Sequence, residues 1–258
     1  RAPAVIIATG GLSYPRTGST GDGYRLARAA GHTIVPTRAA LVPLESPDVP
    51  RDRLTDLNLR NIGARVLVGG KKKAEQFGEV TFTATGLGGP IILTVSGLVI
   101  DALATGSEVR IELDLKPALD DQKLDRRLRR DIDQNGRAPF RVLLDGLLPQ
   151  KLIPFCLDRL GIAADKKLHQ ITGDERKALR SWLKGCGFAI TGSRPIDEAI
   201  VTAGGVSLNE VEPRTMASRL VTGLYFCGEV LDLDGDTGGF NLQAAFSTGR
   251  VAGLAAAG

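Results

Sequence analysis

The stretch that decides the fold lies near the end of the chain and reads Gly223-Leu224-Tyr225-Phe226-Cys227-Gly228-Glu229, then Gly235-Asp236-Thr237-Gly238-Gly239-Phe240-Asn241. The apolar run at 224–227 predicts a β-strand that ends next to a carboxylate. The pattern at 241–257 predicts a helix that follows the glycine-rich loop. A strand, a glycine-rich loop and a helix in this order indicate an α/β domain.

The same stretch carries candidate ligand contacts. Glu229 can accept a hydrogen bond from a hydroxyl group, and Gly238 and Gly239 allow close approach to the backbone. The amides at the start of the following helix can stabilise negative charge. These features suit a ligand with a hydroxylated tail and an electron-rich ring. The alternative, that the glycines serve only the geometry of a strand–turn–helix corner, stays open at this point.

The beginning of the chain contains a second strand and glycine loop. Residues 4–8 predict a buried strand, and the loop from Thr9, Gly10 and Gly11 to residue 23 precedes a helix expected to stop at Gly31. Each strand is too apolar to stand alone, so we expect the strands at 4–8 and 224–227 to lie in one parallel sheet. A chain that opens inside such a strand is expected to be cut from a longer protein.

The middle of the chain changes character twice. Strand-like alternation at 64–68, 79–83 and 108–115 predicts a β-rich region, with a helix at 91–103. Residues 119–184 carry leucines at helical spacing and predict a helical subdomain. We therefore predict a partial α/β domain at 1–40 and 204–258, a β-rich, barrel-like insert at 41–118 and 185–203, and the helical subdomain at 119–184.

Composition narrows the function classes. The 258 residues are 43% apolar and 5% aromatic with a net charge of +4, so aromatic stacking platforms for single-stranded nucleic acid are not expected. The basic runs at 71–73 and 126–130 have acidic neighbours, which favours solvated faces over a nucleic-acid surface. No apolar run reaches membrane-spanning length. Three cysteines without metal-type spacing favour the reducing cytoplasm.

Several familiar site types are not supported. Two histidines, His32 and His169, give no pattern for a metal centre or a Ser-His-Asp triad. Asp232, Asp234 and Asp236 imitate the start of a calcium loop, but the sixth position is Thr237 rather than glycine. The glycine loop at 18–23 lacks the lysine of a P-loop.

In combination, these motifs resemble the BaiN/YhiN-like family of bacterial NAD(P)/FAD-dependent oxidoreductases. The resemblance covers essentially the whole chain, and the block at 223–253 is its most specific part. The other matching segments are Val5-Ile6-Ile7-Ala8-Thr9-Gly10-Gly11-Leu12-Ser13-Tyr14-Pro15, Thr17-Gly18-Ser19-Thr20-Gly21-Asp22-Gly23-Tyr24, Pro43-Leu44, Phe82-Thr83, Gly86-Leu87, Gly89-Pro90, Thr202-Ala203-Gly204-Gly205-Val206 and Thr215-Met216.

The resemblance implies an incomplete Rossmann-like FAD-binding domain. The ribose–pyrophosphate part of FAD would lie near Thr9, Gly10 and Gly11. Along the ribityl chain and flavin ring the implied contacts are Glu229, Asp236, Gly238, Gly239, Phe240, Asn241 and Leu242. Hydride would pass between NAD(P)H, the flavin and a small organic substrate. No catalytic acid or base is identified.

The sequence also departs from the family pattern. The opening G-x-G-x-x-G turn is absent, so we expect this chain to bind FAD weakly or not at all. Ala84 and Gly88 stand where a histidine and a serine are expected, and Ala244 replaces an aromatic residue. Two alternatives stay open: a non-catalytic ligand- or partner-binding module without cofactor, and a flavoprotein that modifies nucleic acid.

Overall fold

The computed structural model describes residues 2–258, which form two compact units. The first unit contains the chain up to Pro43, Ile92–Gly97 and Ser193–Gly258; the second contains Leu44–Ile91 and Leu98–Gly192. The four-part division expected from the sequence stays a prediction.

The strand elements, in chain order, are β1 Val5–Ile7, β2 Ile34–Ala40, β3 Leu44–Glu45, β4 Asn58–Val68, β5 Lys71–Phe82, β6 Gly86–Gly88, β7 Val109–Asp114, β8 Cys186–Ile190, β9 Gly192–Ser193, β10 Val201–Val206 and β11 Leu224–Phe226. The helices are α1 Asp22–Ala29, α2 Arg51–Leu54, α3 Pro90–Ala104, α4 Asp121–Gln134, α5 Phe140–Asp145, α6 Ile153–Leu160, α7 Gly173–Lys184 and α8 Phe240–Ala256. No helix in the described part of the chain is long and apolar enough to cross a lipid bilayer.

The predicted meeting of the two chain ends is confirmed. β1 pairs in parallel with β11, with Val5 opposite Leu224 and Ile7 opposite Phe226. Ile7 and Phe226 are buried in the core between this pair and the helices α1 and α8. The expectation that the whole first strand is buried is wrong: Val5 and Ile6 are exposed, because this sheet has only two strands among the described residues.

The first unit contains a second strand pair, which is antiparallel and carries Thr202. β10 runs antiparallel to β2, and its register shifts between Ala203 and Gly205. Gly204 and Gly205 have φ of +82° and +138°, a region that favours glycine. At Gly204, a Cβ would collide with the backbone carbonyl of Pro36. Every residue of β10 is buried, so the side chain of Thr202 is fixed inside the protein.

The second unit is built on one sheet with strands of different lengths, in which the neighbours from β8 to β3 pair antiparallel. Its seven strands follow the order β8-β7-β4-β5-β6-β3-β9, and the described residues contain no pairing that joins the two edge strands. The barrel-like insert expected from the sequence is therefore not found, since a barrel requires every strand to have two neighbours. The β-type periodicity itself is confirmed in β4, β5 and β7.

The helical character of residues 119–184 is confirmed. α4, α5, α6 and α7 account for most of this segment, and its described residues contain no strand. The leucines expected on the buried face are all buried: Leu143, Leu147, Leu148, Leu179 and Leu183. α7 begins with a capping box, in which Thr172 and Glu175 exchange side-chain and backbone hydrogen bonds.

Candidate functional site

A hydrogen-bond network around Glu229 joins three distant parts of the first unit. Glu229 follows β11, and its Oε1 accepts hydrogen bonds from the backbone N–H of Thr202 at 2.8 Å and from the Ser13 hydroxyl at 2.7 Å. The Thr202 hydroxyl oxygen accepts from the backbone N–H groups of Leu12 at 2.8 Å and Ser13 at 3.0 Å. We call Glu229, Thr202 and Ser13 the Glu229 network. Because Thr202 and Ser13 are buried, the network fixes the carboxylate.

The network leaves one carboxylate oxygen available. Within the described chain, Glu229 Oε2 has no hydrogen-bond partner, and Glu229 lines an open cleft. An anchored carboxylate with one unused oxygen is suited to accept a hydrogen bond from a ligand hydroxyl.

Gly11 is required by the network rather than by its backbone angles. A Cβ at this position would lie 2.5 Å from Thr202 Oγ1 and 2.6 Å from Glu229 Oε1. Any larger residue would push apart the two groups that hold the loop. Gly23 is similar, because its Cβ would collide with the Thr9 hydroxyl.

Tyr24 supports Glu229 from the core side. The buried phenol donates a long hydrogen bond of 3.4 Å to the backbone carbonyl of Glu229. Burial raises the pKa of Tyr24 well above its usual range, and the nearby Glu229 charge raises it further. Tyr24 is therefore a neutral hydrogen-bond donor in the folded protein.

The glycine loop before α8 is held by one asparagine. Asn241 accepts a hydrogen bond from the Gly235 N–H at 2.8 Å and donates one to the Gly235 carbonyl at 2.8 Å. Gly238 and Gly239 have φ of +111° and +92°, and no atom lies within 4 Å of the place where a Cβ of Gly239 would be. The N–H groups in the first turn of a helix have no partner in the helix, so this turn can receive a ligand acceptor atom.

The network and this loop border a cleft of about 420 Å³. Most of the lining is apolar, which suits a flat ring system. The lining residues are Tyr14, Leu41, Ile200, Val201, Gly228, Glu229, Leu233, Asp236, Thr237, Gly238, Gly239, Asn241, Leu242, Ala244 and Ala245. Ala244, where the sequence led us to expect an aromatic residue, contributes only a methyl group to this lining.

The structure brings together only some of the residues singled out in the sequence. The cleft-lining residues among them are Glu229, Asp236, Gly238, Gly239, Asn241 and Leu242. Gly11 lies against the Glu229 network, whereas Thr9 and Gly10 face Gly23 and Ser19. Phe240 is exposed and does not line the cleft. The side chain of Asn241 is already used within the loop, which leaves its backbone amide for a ligand.

Sequence reasoning missed the residues outside the glycine block that hold Glu229 or line the cleft. Ser13 and Thr202 stand in the family motifs, but nothing in the sequence shows that they share one carboxylate. Tyr14 and Leu41 both have a φ of +51°, unusual for residues with a side chain, and both line the cleft. Strained backbone of this kind is often found at functional sites, and no sequence pattern predicts it.

Neither histidine lines the cleft. His32 is buried, with Nε2 at 2.8 Å from the Ser218 hydroxyl and Nδ1 at 3.2 Å from Glu210. His169 is exposed in the helical segment. Among residues 2–258, no three His, Cys, Asp or Glu side chains form a group that could hold a metal ion.

Comparison with known proteins gives one family and several relatives. The model of the HI0933-like protein Rossmann domain matches residues 1–255. The chain is 34% identical over 256 residues to 3-dehydro-bile acid delta(4,6)-reductase from Clostridium scindens, covering 99% of this chain and 62% of that protein. It is 34% identical over 245 residues to ribosomal RNA dihydrouridine synthase from Escherichia coli, covering 95% of this chain and 58% of that protein. A protein of the same name from Haemophilus influenzae is 31% identical over 250 residues, which is 97% of this chain and 59% of the relative.

Proposed function

Because the chain belongs to the HI0933-like Rossmann domain family, we propose that the protein is an FAD-dependent oxidoreductase. The family match agrees with the resemblance drawn from the motifs. The chain spans about 60% of the length of its relatives, since it covers 62% of one and 58% of another. The activity proposed below is that of the whole protein.

The observation that carries the proposal is the anchored carboxylate of Glu229 in an apolar cleft beside the first turn of α8. Glu229 Oε2 would accept a hydrogen bond from a ribityl hydroxyl. The amides at Gly239 to Leu242 would lie near the ring edge on which negative charge develops during reduction. FAD would supply a ring that accepts and returns a hydride, and the chain would position that ring and exclude water from it.

We propose that the reaction is the reduction of a carbon–carbon double bond conjugated with a carbonyl group. The names of the relatives describe a delta(4,6)-reductase and dihydrouridine synthases, and both reactions saturate such a bond. One carbon of the double bond gains a hydride and the other gains a proton. NAD(P)H would be the source of the hydride. The apolar side chains of Leu41, Ile200 and Leu233 would limit water access in the cleft.

The test uses the full-length protein. It should purify with the visible absorbance of oxidised flavin and lose that absorbance when NADH or NADPH is added without oxygen. Adding a conjugated enone, or an RNA that contains unmodified uridine, should restore the absorbance and yield a product with two added hydrogens. A protein without flavin, or a reduced flavin that neither type of acceptor reoxidises, contradicts the proposal.

A substitution at Glu229 links this test to the site. Glu229→Ala removes the ribityl acceptor and the anchor of Ser13, so we expect FAD affinity to fall by about one to two powers of ten. Glu212→Ala is the matched control, because Glu212 is only half-buried and pairs with Arg219 away from the network. If the two variants bind FAD with equal affinity, Glu229 is not part of the cofactor site.

We also propose that the protein is located in the cytoplasm. All three cysteines, Cys156, Cys186 and Cys227, are free and buried. Burial raises the pKa of each thiol, so none is activated as a nucleophile. Free thiols agree with the expected cytoplasmic location.

A further inference from the structure

We propose that a basic surface in the second unit binds the phosphate backbone of an RNA substrate. The surface consists of Arg137, Arg141, Lys167 and His169, and we call it the ribbon surface. The proposal rests on the proposed function, of which it specifies the substrate class. It departs from the expectation that the basic residues of this region serve only as solvated faces.

Charge is unevenly distributed along the chain. Residues 119–184 contain 15 basic and 10 acidic residues, whereas the rest of the chain contains 18 basic and 19 acidic residues. The excess positive charge of the protein therefore comes from the helical segment. A localised excess of this kind attracts polyanions.

Most cations of the helical segment are already neutralised by neighbours. Arg129 and Arg176 both contact Asp125, at 2.8 and 3.1 Å, and Lys166 contacts Glu175 at 2.6 Å. For the run at 126–130 these pairs agree with the interpretation as a solvated face. The ribbon surface differs, because its four residues make no ion pair within the described chain.

Local backbone pairing gathers these unpaired residues. Residues 136–141 run antiparallel to residues 164–169, with a β-bridge between Pro139 and Lys167. Two backbone hydrogen bonds flank this bridge, Leu168 N–H to Ala138 at 3.0 Å and Phe140 N–H to Lys166 at 2.8 Å.

The two segments have one buried and one solvent-facing side. Phe140 and Leu168 are buried under the bridge, while Arg137, Arg141, Lys167 and His169 are exposed. The one acidic residue in these segments is Asp165, which is also exposed. The exposed side is therefore predominantly basic.

A concave surface of about 670 Å³ adjoins Arg137 and His169 of the ribbon surface. It is lined by Gln134, Asn135, Gly136, Arg137, Ala138 and His169. His169 Nδ1 donates to the Gly136 carbonyl at 2.7 Å, which orients the ring. Nε2 can then donate to a phosphate oxygen when the ring is the doubly protonated imidazolium. Guanidinium, imidazolium and amide N–H groups are the usual donors to phosphate oxygens.

An anionic membrane is a poorer match than RNA. Membrane-surface segments expose large apolar side chains next to their cations. Near the ribbon surface Val142 is the exposed large apolar residue, and Phe140, Leu143 and Leu144 are buried. A polar, basic surface of this kind is typical of phosphate-backbone contacts.

The test measures binding separately from catalysis. Full-length protein is titrated into a fluorescein-labelled RNA stem-loop, and anisotropy is recorded over a salt series. The triple variant Arg137→Gln, Arg141→Gln, Lys167→Gln should bind at least about ten-fold more weakly, and its salt slope should be smaller by about 2. The matched control is Lys71→Gln, Lys72→Gln, Lys73→Gln, which removes the same charge from the exposed first residues of β5 and should change binding less than three-fold.

Three outcomes would overturn the proposal: equal RNA affinity in the triple variant and the wild type, equal weakening in the control, or a larger effect on binding to phosphatidylserine vesicles than to RNA. Thermal unfolding of each variant shows whether folding is retained. Reduction of the flavin by NAD(P)H and reoxidation by a small enone should be unchanged in the triple variant. If these flavin reactions proceed while the wild type fails to bind RNA, the ribbon proposal is wrong and the oxidoreductase proposal stands.

Discussion

At the scale of single residues, the role of Gly11 illustrates what a sequence conceals. The glycine was singled out as a phosphate-side contact, yet its position is explained by the two oxygens that a Cβ would meet, Thr202 Oγ1 at 2.5 Å and Glu229 Oε1 at 2.6 Å. Both partners lie about 200 residues away in the chain; Thr202 is 189 positions after Ser13. No local pattern contains that information.

Gly11→Ala should destabilise the first unit. Thr202 is fully buried and cannot move away from a new methyl group, so we expect a loss of about 1–3 kcal/mol in the free energy of unfolding. Urea denaturation followed by circular dichroism measures the change. Gly253→Ala is the control, because no atom lies within 4 Å of its Cβ position in α8, and alanine there should stabilise by up to about 1 kcal/mol. Similar behaviour of the two variants would show that the loop at Gly11 relaxes freely.

At the scale of secondary-structure elements, local periodicity predicted the element types and one long-range strand pair, whereas closure of the sheet was not predictable. The alternation in β4 and β7 and the leucines of the helical segment predicted the correct element types. The parallel pairing of β1 with β11 was also predicted, because two apolar strands without neighbours must share a sheet. Barrel closure was wrong, since it depends on whether edge strands such as β8 and β9 meet, and a strand's pattern does not identify its edge partner.

In the second unit, we expect the contact between Asp48 and β8 to depend on pH. Asp48 accepts a hydrogen bond from the Ala189 N–H in β8 at 2.7 Å and one from Arg159 at 3.2 Å. Burial alone would raise the pKa of Asp48, but these two hydrogen bonds and the Arg159 charge lower it overall. Because the folded pKa lies below the unfolded value, the stabilisation is complete above about pH 3.9 and is lost as the pH falls through the folded pKa.

Asp48→Ala should therefore cost about 1–3 kcal/mol at pH 7, with a constant difference from wild type down to about pH 5 and a smaller one below about pH 3.9. Urea unfolding at each pH gives the difference. Asp133→Ala, an exposed position on α4, should stay within about 0.5 kcal/mol of wild type. A difference that grows on acidification would reverse the sign inferred for Asp48.

At the scale of the whole molecule, the position of the FAD phosphates would decide the affinity of the proposed cofactor site for FAD. A dinucleotide pyrophosphate normally lies on the amides at a helix start after a G-x-G-x-x-G turn, and this sequence lacks that turn. The glycine loop before α1 is a poor substitute, because Asp22 occupies the first turn of the helix and Arg25 is paired with it. The cleft beside α8 would hold the ribityl and ring portions only.

The match to the Clostridium scindens reductase covers 62% of that protein. We therefore expect the 258-residue chain to bind FAD far more weakly than the full-length protein does. Each missing charge-assisted hydrogen bond to phosphate is worth about 1.5–3 kcal/mol, so a few of them change the dissociation constant by several powers of ten. Quenching of flavin fluorescence during titration measures both constants. FMN, which ends at one phosphate after the ribityl chain, is the discriminating control: if the ring and ribityl site is intact, the chain should bind FMN and FAD with similar affinity. A submicromolar constant for FAD alone would mean that the pyrophosphate has an anchor within the described residues, and the loops around Gly10 and Gly21 would be the first places to locate it.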